Sequence, residues 1–312
     1  MKELLFIYNP NAGKGLVKAK LSDIVDIFVK AGYEVTIYPT QKYQDAYNKV
    51  VELKKEYDLV VCSGGDGTLD EVVTGMMHRE KKIPIGYIPA GTTNDFANSL
   101  HIPRDMFKAA DVAVNGVLFS CDVGTFNDDN FIYIAAFGLF TDVSYQTNQN
   151  VKNVLGHLAY VLEGVKRLYD VPSYRMKVTY DGEVLEDEFI YGMVTNSRSV
   201  GGFRHMVGKN VVFDDGEFEV TLIKTPKTLA SLQEIIAALL IEQIDTKYMY
   251  SFKARQIEFE SLEEISWTLD GEFGGVHDKV CIENKQKSLQ IMVRKDYIKS
   301  LAKTPEVLGE KN

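Results

Sequence analysis

The stretch Val60-Val61-Cys62-Ser63-Gly64-Gly65-Asp66-Gly67-Thr68-Leu69-Asp70-Glu71 narrows the folds open to this chain more than any other. Asp58 to Cys62 is a short, mostly apolar run of the kind a buried parallel strand shows. Gly64, Gly65 and Gly67 then remove side chains where backbone must approach something closely. From Thr68 on, Leu69, Val72, Val73, Met76 and Met77 give a helix its apolar face. A strand, a glycine turn and a helix start together present free N–H groups to an anion. Asp66 adds an acid able to orient Mg²⁺, directly or through water. A tight turn with a capping residue would account for an isolated Gly-Gly pair. Three glycines around an acid, followed by threonine, point instead to phosphate.

The flanking chain supplies a sheet for that turn. Leu4 to Tyr8 reads as a strand stopped by Asn9-Pro10-Asn11-Ala12-Gly13-Lys14-Gly15. Leu21, Ile24, Val25 and Phe28 recur at helical spacing, and Gly32 closes that helix. Glu34 to Tyr38 reads as a second strand, Ala46 to Tyr57 as a helix and Ile83 to Ile88 as a further strand. The β-α-β-α-β-α-β alternation predicts a parallel, helix-flanked sheet over roughly the first 90 residues. Ligands bind such sheets beyond the carboxyl ends of the strands. That gathers three loops at one edge: Asn9–Gly15, Ser63–Thr68 and Pro89–Asp95. In the third, Gly91 permits close backbone approach, Thr92 and Thr93 offer hydroxyls, and Asp95 could orient a metal or cap a helix. Opposite the glycine turn, a second acid beside the same phosphates is the stronger reading.

Beyond a helix expected at Asp105–Gly116 the texture changes. Strand-like runs dominate, at Phe131–Phe137, Arg175–Tyr180, Phe189–Thr195, Glu217–Lys224, Gln256–Phe259, Ile265–Leu269 and Leu289–Val293. Turn dipeptides punctuate them, which predicts an antiparallel sandwich or barrel-like second domain. Helices are expected near Val154–Leu168, Thr228–Ile244 and Lys295–Lys303. In the second of these, Leu229, Leu232, Ile235, Ile236, Leu239 and Leu240 read as a core-facing stripe rather than a membrane anchor.

Asp-Gly-Glu occurs at Asp181–Glu183, Asp215–Glu217 and Asp270–Glu272, and each copy alone reads as a hairpin turn. Asp181 lies between two plain alternating strands and stays a turn. Asp215 follows Asp214, and a carboxylate with carbonyls at a sharp glycine turn could hold a hard cation. Asp270 follows Trp267-Thr268-Leu269 and precedes Gly274-Gly275, which suits a loop reaching another domain. The pattern does not rank the three.

Composition removes several classes. The 312 residues suffice for two domains. Lys and Arg number 35 against 44 Asp and Glu, a formal charge of −9. That balance argues against nucleic-acid binding and against plain electrostatic adhesion to an anionic membrane. Cys62, Cys121 and Cys281 are odd in number and far apart, so reduced thiols are expected. No signal peptide is read at Met1-Lys2-Glu3, and no apolar run reaches the ~18 residues of a spanning helix. A cytoplasmic protein is expected, one that meets any lipid from the water side.

These residues resemble the diacylglycerol kinase catalytic family of bacterial soluble lipid kinases. Asn-Pro-Asn-Ala-Gly-Lys (9–14), Gly-Gly-Asp-Gly-Thr (64–68) and Pro-Ala-Gly-Thr-Thr-Asn-Asp-Phe-Ala (89–97) occur in the family's order. Asp122-Val123-Gly124, Asp214-Asp215-Gly216 and Leu269-Asp270-Gly271-Glu272 follow. The resemblance spans nearly the whole chain, although Gly-Gly-Asp-Gly-Thr alone also occurs in NAD kinases and phosphofructokinases. It implies a three-layer α/β nucleotide-binding domain with a parallel sheet, residues 1–125 and 294–312. A β-sandwich lipid-substrate domain, residues 126–293, would complete it, with the active site in the cleft between.

The resemblance puts nucleotide contacts on Asn9, Pro10, Asn11, Ala12, Gly13, Thr40 and Thr92. It adds the run Gly64, Gly65, Asp66, Gly67, Thr68, Leu69, Asp70 and Glu71. Asp66, Asp95 and Asp122 would hold the network around a catalytic Mg²⁺. Asp270 matches the general base, with Glu272 beside it sometimes given that role. The turn Val212–Glu217 matches a structural cation site, with the Asp215 side chain and the carbonyls of Val212 and Glu217 as ligands. Three departures stand out: Ala12 replaces a frequent serine, Asp70 the usual asparagine, and Asn98 an arginine that commonly follows Asp-Phe-Ala. The last removes a basic contact to phosphate or lipid head group and bears on which lipid is taken.

The implied activity is transfer of the ATP γ-phosphoryl to the hydroxyl of diacylglycerol, giving phosphatidic acid, with Mg²⁺ and peripheral membrane contact during turnover. Phosphatidylglycerol-like lipid is a rival acceptor, and so is a soluble one such as NAD or a sugar; the run Pro89–Ala97 favours lipid. A nucleotide- or lipid-sensing module is the non-enzymatic rival, opposed by the intact Asp66, Asp95, Asp122 and Asp270. No Gly-x₄-Gly-Lys-Ser/Thr or Gly-x-Gly-x-x-Gly occurs, which disfavours P-loop and dinucleotide folds. The oligomeric state is left open, a homodimer included.

Overall fold

The computed structural model describes residues 1–138, 172–197, 211–241 and 246–301. The helix expected at Val154–Leu168, and the ends of those expected at Thr228–Ile244 and Lys295–Lys303, lie outside the described residues. The chain divides into two units, Met1–Ser120 with Gln290–Asn312, and Cys121–Leu289.

In the first unit β1 (Lys2–Tyr8) lies between β2 (Tyr33–Pro39) and β3 (Leu59–Gly64), and β3 continues to β4 (Ile85–Pro89). Leu4 pairs with Val35 and with Leu59, Val60 pairs with Ile85, and every one of these ladders is parallel. Leu4 to Tyr8 and all of β3 and β4 are buried, which is why they read as unbroken apolar runs. The helices are α1 (Leu16–Ala19), α2 (Leu21–Lys30), α3 (Asp45–Val51), α4 (Asp66–Met77), α5 (Asp95–Ser99) and α6 (Met106–Asn115). α2 buries Ile24 and Phe28, the latter edge-to-face with Phe6 at 5.4 Å between ring centres. The helix expected over Ala46–Tyr57 stops at Val51. There the Arg79 guanidinium takes the carbonyls of Val50 and Leu53 at 3.0 and 3.3 Å, groups that a further helical turn would have used.

β5 (Val117–Phe126) carries the chain into the second unit, which holds β6 (Asp129–Phe131), β7 (Ile134–Gly138), β8 (Tyr174–Tyr180), β9 (Glu183–Thr195), β10 (Phe218–Lys224), β11 (Met249–Ala254), β12 (Gln256–Leu269) and β13 (Glu272–Val293). Its antiparallel order runs β11-β10-β9-β7-β12-β13. β9 and β12 are long enough to take partners in succession. β8 bridges them at one end, Val178 pairing with Leu185 and Phe259; β7 bridges them at the other, Ala136 pairing with Met193 and Thr268. Side chains of both bridges meet around Trp267, whose ring centre lies 4.8 Å from Phe137, 5.1 Å from Phe126 and 5.2 Å from Phe259.

Three strand expectations change. Phe131–Phe137 is two strands, broken at Ile132 and Tyr133, whose N–H groups turn to the Asp270 carboxylate. Gln256–Phe259 and Ile265–Leu269 are one strand, bulged between Glu260 and Ile265. Leu289–Val293 is the tail of the 22-residue β13.

α7 (Leu229–Leu240) starts on a Thr228–Ser231 capping box. Leu232, Ile235 and Leu239 turn inward, but Leu229 and Leu240 are 61% and 57% exposed. The expected stripe spreads over about 140° of the helix, and its far edge passes to solvent. The end of β13 belongs to the first unit, with Ile291 parallel to Ile85. α8 (Lys295–Leu301) follows it and buries Tyr297 against the rings of Phe119 and His101.

Candidate active site

β1, β3 and β4 end side by side, so the loops after them leave from one edge. The Asn9 N–H donates to the Ser63 carbonyl at 2.8 Å, and the Ala90 N–H to the Gly64 carbonyl at 2.7 Å. A Cβ on Gly13, which sits at φ +58, would lie 2.7 Å from the Ala90 oxygen. One on Gly91 would lie 2.7 Å from the Gly65 Cα. The main chains of the three loops therefore touch with no room for side chains. Two clamps that sequence reasoning missed hold them. Asn94, left-handed at φ +54, accepts the Gly91 N–H at 2.9 Å and donates to the Gly91 carbonyl at 2.7 Å. The Tyr87 phenol donates to the Gly64 carbonyl at 3.1 Å. An asparagine two residues past a glycine-threonine step was the available signal, since asparagine tolerates that conformation.

Asp66 opens α4 and Asp95 opens α5. The Asp95 N–H donates to Asp66 Oδ2 at 3.3 Å, while Asp66 Oδ1 is buried with no hydrogen-bond partner. Burial first, then the charge of Asp95, pushes the Asp66 carboxyl up to about 6. Two neighbouring acids with an orphaned buried oxygen fit Mg²⁺, which takes oxygen ligands in a compact shell. Among the described residues no three His, Cys, Asp or Glu side chains are grouped to hold a metal. An ion here would complete its shell with water and phosphate oxygens.

The other nucleotide candidates fall into place unevenly. The Thr40 N–H donates to the Tyr8 carbonyl at 2.9 Å, and the Asn11 N–H to Asn9 Oδ1 at 2.9 Å. Pro10, Ala12 and Gly67 are half-buried, Thr68 is buried and Thr92 is exposed. The Leu69 side chain is fully buried in the core. Asp70 Oδ1 accepts the Thr74 hydroxyl at 3.5 Å. Glu71 spends both oxygens on the Gln44 and Ala46 N–H groups, at 2.9 and 3.0 Å, and so caps α3. Asn98 Oδ1 accepts Arg104 Nε at 3.3 Å and Nη2 at 3.2 Å, and its Nδ2 donates to the Thr93 carbonyl at 3.0 Å. A guanidinium therefore stands beside Asn98 after all.

In the second unit Asp122 is a clamp. Its oxygens accept the Lys287 and Gly216 N–H groups, each at 2.7 Å, and burial pushes its carboxyl up against those bonds. Asp270, left-handed at φ +50, accepts the N–H groups of Ile132 at 2.6 Å and of Tyr133 and Ile134 at 2.9 Å. Glu272 is exposed. Asp181, at φ +45, repeats the device on the Arg255 and Gln256 N–H groups, each at 3.0 Å. Asp215 Oδ1 accepts the Glu217 N–H at 3.1 Å, and its Oδ2 accepts from Lys253 Nζ at 2.8 Å.

Residues 3–126 match the diacylglycerol kinase catalytic domain, and residues 134–293 match the YegS C-terminal NAD kinase beta sandwich-like domain. A diacylglycerol kinase of Bacillus subtilis (strain 168) is 36% identical over 278 residues, 88% of this chain and 91% of that protein. One of Staphylococcus carnosus (strain TM300) is 36% identical over 276 residues, 88% of this chain and 90% of its own. The crystal structure of a diacylglycerol kinase from Bacillus anthracis str. Sterne superposes with a TM-score of 0.74 at 25% identity, covering 95% of this chain and 98% of its own. Another solved chain from that organism gives 0.82 at 27% identity, with 95% and 96% covered.

The chain belongs to the diacylglycerol kinase catalytic family, with a β-sandwich domain after the catalytic one. It is a lipid kinase, and the family implies ATP as the phosphoryl donor. Among the described residues no helix is long and apolar enough to cross a membrane.

Proposed function

We propose that this chain transfers the γ-phosphoryl of ATP to the hydroxyl of a diacylglycerol, giving phosphatidic acid and ADP. One observation carries the reading: three loops of bare main chain meet beside Asp66 and Asp95, each at a helix start. Phosphoryl transfer needs in-line positioning and charge neutralisation more than covalent help from the protein. The glycine-turn amides and the start of α4 would receive the phosphates. Mg²⁺ held by Asp66 and Asp95 would supply charge neutralisation when bound. As the lipid oxygen bonds to phosphorus and the bond to the ADP oxygen breaks, the hydroxyl proton would pass to Asp270, whose carboxylate three N–H groups fix in orientation. Glu272, two residues on and exposed, is the alternative acceptor. The part of Asp122 is to hold the Gly216 turn. The acceptor is a bilayer component, so turnover takes place at a membrane surface approached from water.

An acceptor panel tests the reading. Purified protein, Mg²⁺ and γ-labelled ATP are given diacylglycerol or phosphatidylglycerol in mixed micelles, or NAD in solution. Labelled phosphatidic acid is the expected product. Label confined to the phosphatidylglycerol arm would replace the lipid, and label only in aqueous products would contradict the proposal.

A further inference from the structure

The turn Val212–Glu217 matches by resemblance a structural cation site whose side-chain ligand is Asp215. In this chain a cation already stands there, and it is an ammonium. Lys253 Nζ lies 2.8 Å from Asp215 Oδ2, 3.3 Å from Glu219 Oε1 and 4.0 Å from Glu217 Oε2. It reaches them because β10 and β11 pair with Glu219 directly opposite Lys253. The remaining Asp215 oxygen is taken by the Glu217 N–H at 3.1 Å.

A hard divalent cation on Asp215 Oδ2 would sit roughly 2.0–2.6 Å from it. That is the space the ammonium faces, and two cations so close repel strongly. Nor is Lys253 at liberty to swing away. The Glu219 side chain is only 8% exposed, burial pushes its carboxyl up to about 7, and Lys253 is the counter-charge that opposes that rise. Removing that partner would leave the buried carboxyl either charged without compensation or driven to take up a proton, and both cost stability. The one side chain expected to ligate a metal at this turn, Asp215, therefore already has both oxygens engaged, one by the Lys253 ammonium and one by the Glu217 N–H.

We propose that Lys253 supplies, in this chain, the positive charge the Val212–Glu217 turn requires, so that the turn closes without a bound metal. The Asp66–Asp95 pair is a separate matter and keeps its Mg²⁺.

Thermal unfolding of the full chain without nucleotide tests this, in chelator and in added Mg²⁺ or Ca²⁺, with metal analysis of the purified protein. Each scan is repeated with Asp66→Asn, which removes the response of the other acid pair. In the Asp66→Asn background, where only the Val212–Glu217 turn is read, the protein is expected to carry no stoichiometric divalent ion and to shift by less than about 1 °C on chelation. Lys253→Met is expected to melt several degrees lower in chelator and to regain much of that loss with either cation, while Lys253→Arg behaves as wild type. An Asp66→Asn protein with Lys253 intact that loses several degrees to chelator overturns the proposal. So does a Lys253→Met protein indifferent to both cations. If Lys253→Met fails to fold, chelation and metal analysis of the Asp66→Asn protein decide alone.

Discussion

Tyr133 holds Asp270 from two sides: its N–H donates to the carboxylate at 2.9 Å, and its phenol donates to the Asp270 carbonyl at 2.9 Å. The carboxylate proposed to take the acceptor proton is thus also a structural pin, gripping the break between β6 and β7. Chemistry and anchoring have to be separated by experiment, and Asp181 provides the control.

Asp270→Ala strands three N–H donors and removes the proposed base. Turnover should fall ~10²–10⁴-fold, and the melting temperature should drop because buried donors lose their acceptor. Asp181→Ala removes the acceptor of two N–H groups as well, but those of Arg255 and Gln256 are exposed and can turn to water. It should lower the melting temperature less than Asp270→Ala does and leave turnover per folded molecule near wild type. Equal turnover losses in the two variants would contradict the assignment.

Asp66 makes a prediction with a definite sign. Its folded carboxyl is pushed up to about 6, chiefly by burial, while the unfolded chain returns it to about 3.9. Between those values the folded protein holds a proton the unfolded chain has released. The stabilising contribution is full below the unfolded value and is lost as pH rises through about 6. In metal-free, nucleotide-free buffer near neutral pH, Asp66→Asn should therefore be more stable than wild type, by on the order of 2 kcal/mol, yet inactive. Thermal scans with parallel turnover assays check this; a variant less stable than wild type at neutral pH would contradict it.

The glycine cradle was legible because its signal is local: strand, glycines, acid and helix start follow one another within a dozen residues. The acids of the second unit were not rankable, since their partners are remote in sequence. Asp270 reaches Ile132 across 138 positions, and that contact breaks a strand that alternation alone renders continuous. β11 escaped notice as a short run whose role lies in pairing Lys253 with Glu219. Glu71 was read as a nucleotide contact from its place in the motif, whereas both its oxygens cap α3, a role visible only once α3 and α4 pack together.

Close main-chain approach makes Gly91 intolerant of even one carbon. Gly91→Ala would force a Cβ to 2.7 Å from Gly65 Cα and 2.8 Å from Asn94 Oδ1. The loops should part, raising the apparent KM for ATP by about tenfold or more, as an overpacking strain of ~1–3 kcal/mol implies. Steady-state kinetics at fixed lipid measure it; an unchanged KM would show that the three loops do not form the phosphate cradle.

Arg104 brings its guanidinium to Asn98, the position at which the family resemblance leads one to expect arginine. Arg104→Gln should raise KM for an anionic substrate several-fold with little change in kcat, and the difference should shrink at high salt. Salt-titrated kinetics on ATP and on lipid identify which substrate it serves; identical kinetics of wild type and Arg104→Gln at low salt would remove it from the site.

The most direct measurement is the rate at which diacylglycerol in mixed micelles becomes labelled phosphatidic acid with Mg²⁺ and γ-labelled ATP, wild type beside Asp66→Asn. Labelled phosphatidic acid from wild type and a loss of at least about a hundredfold in the variant are predicted. Equal rates from the two proteins, or label that never enters lipid, would contradict the account.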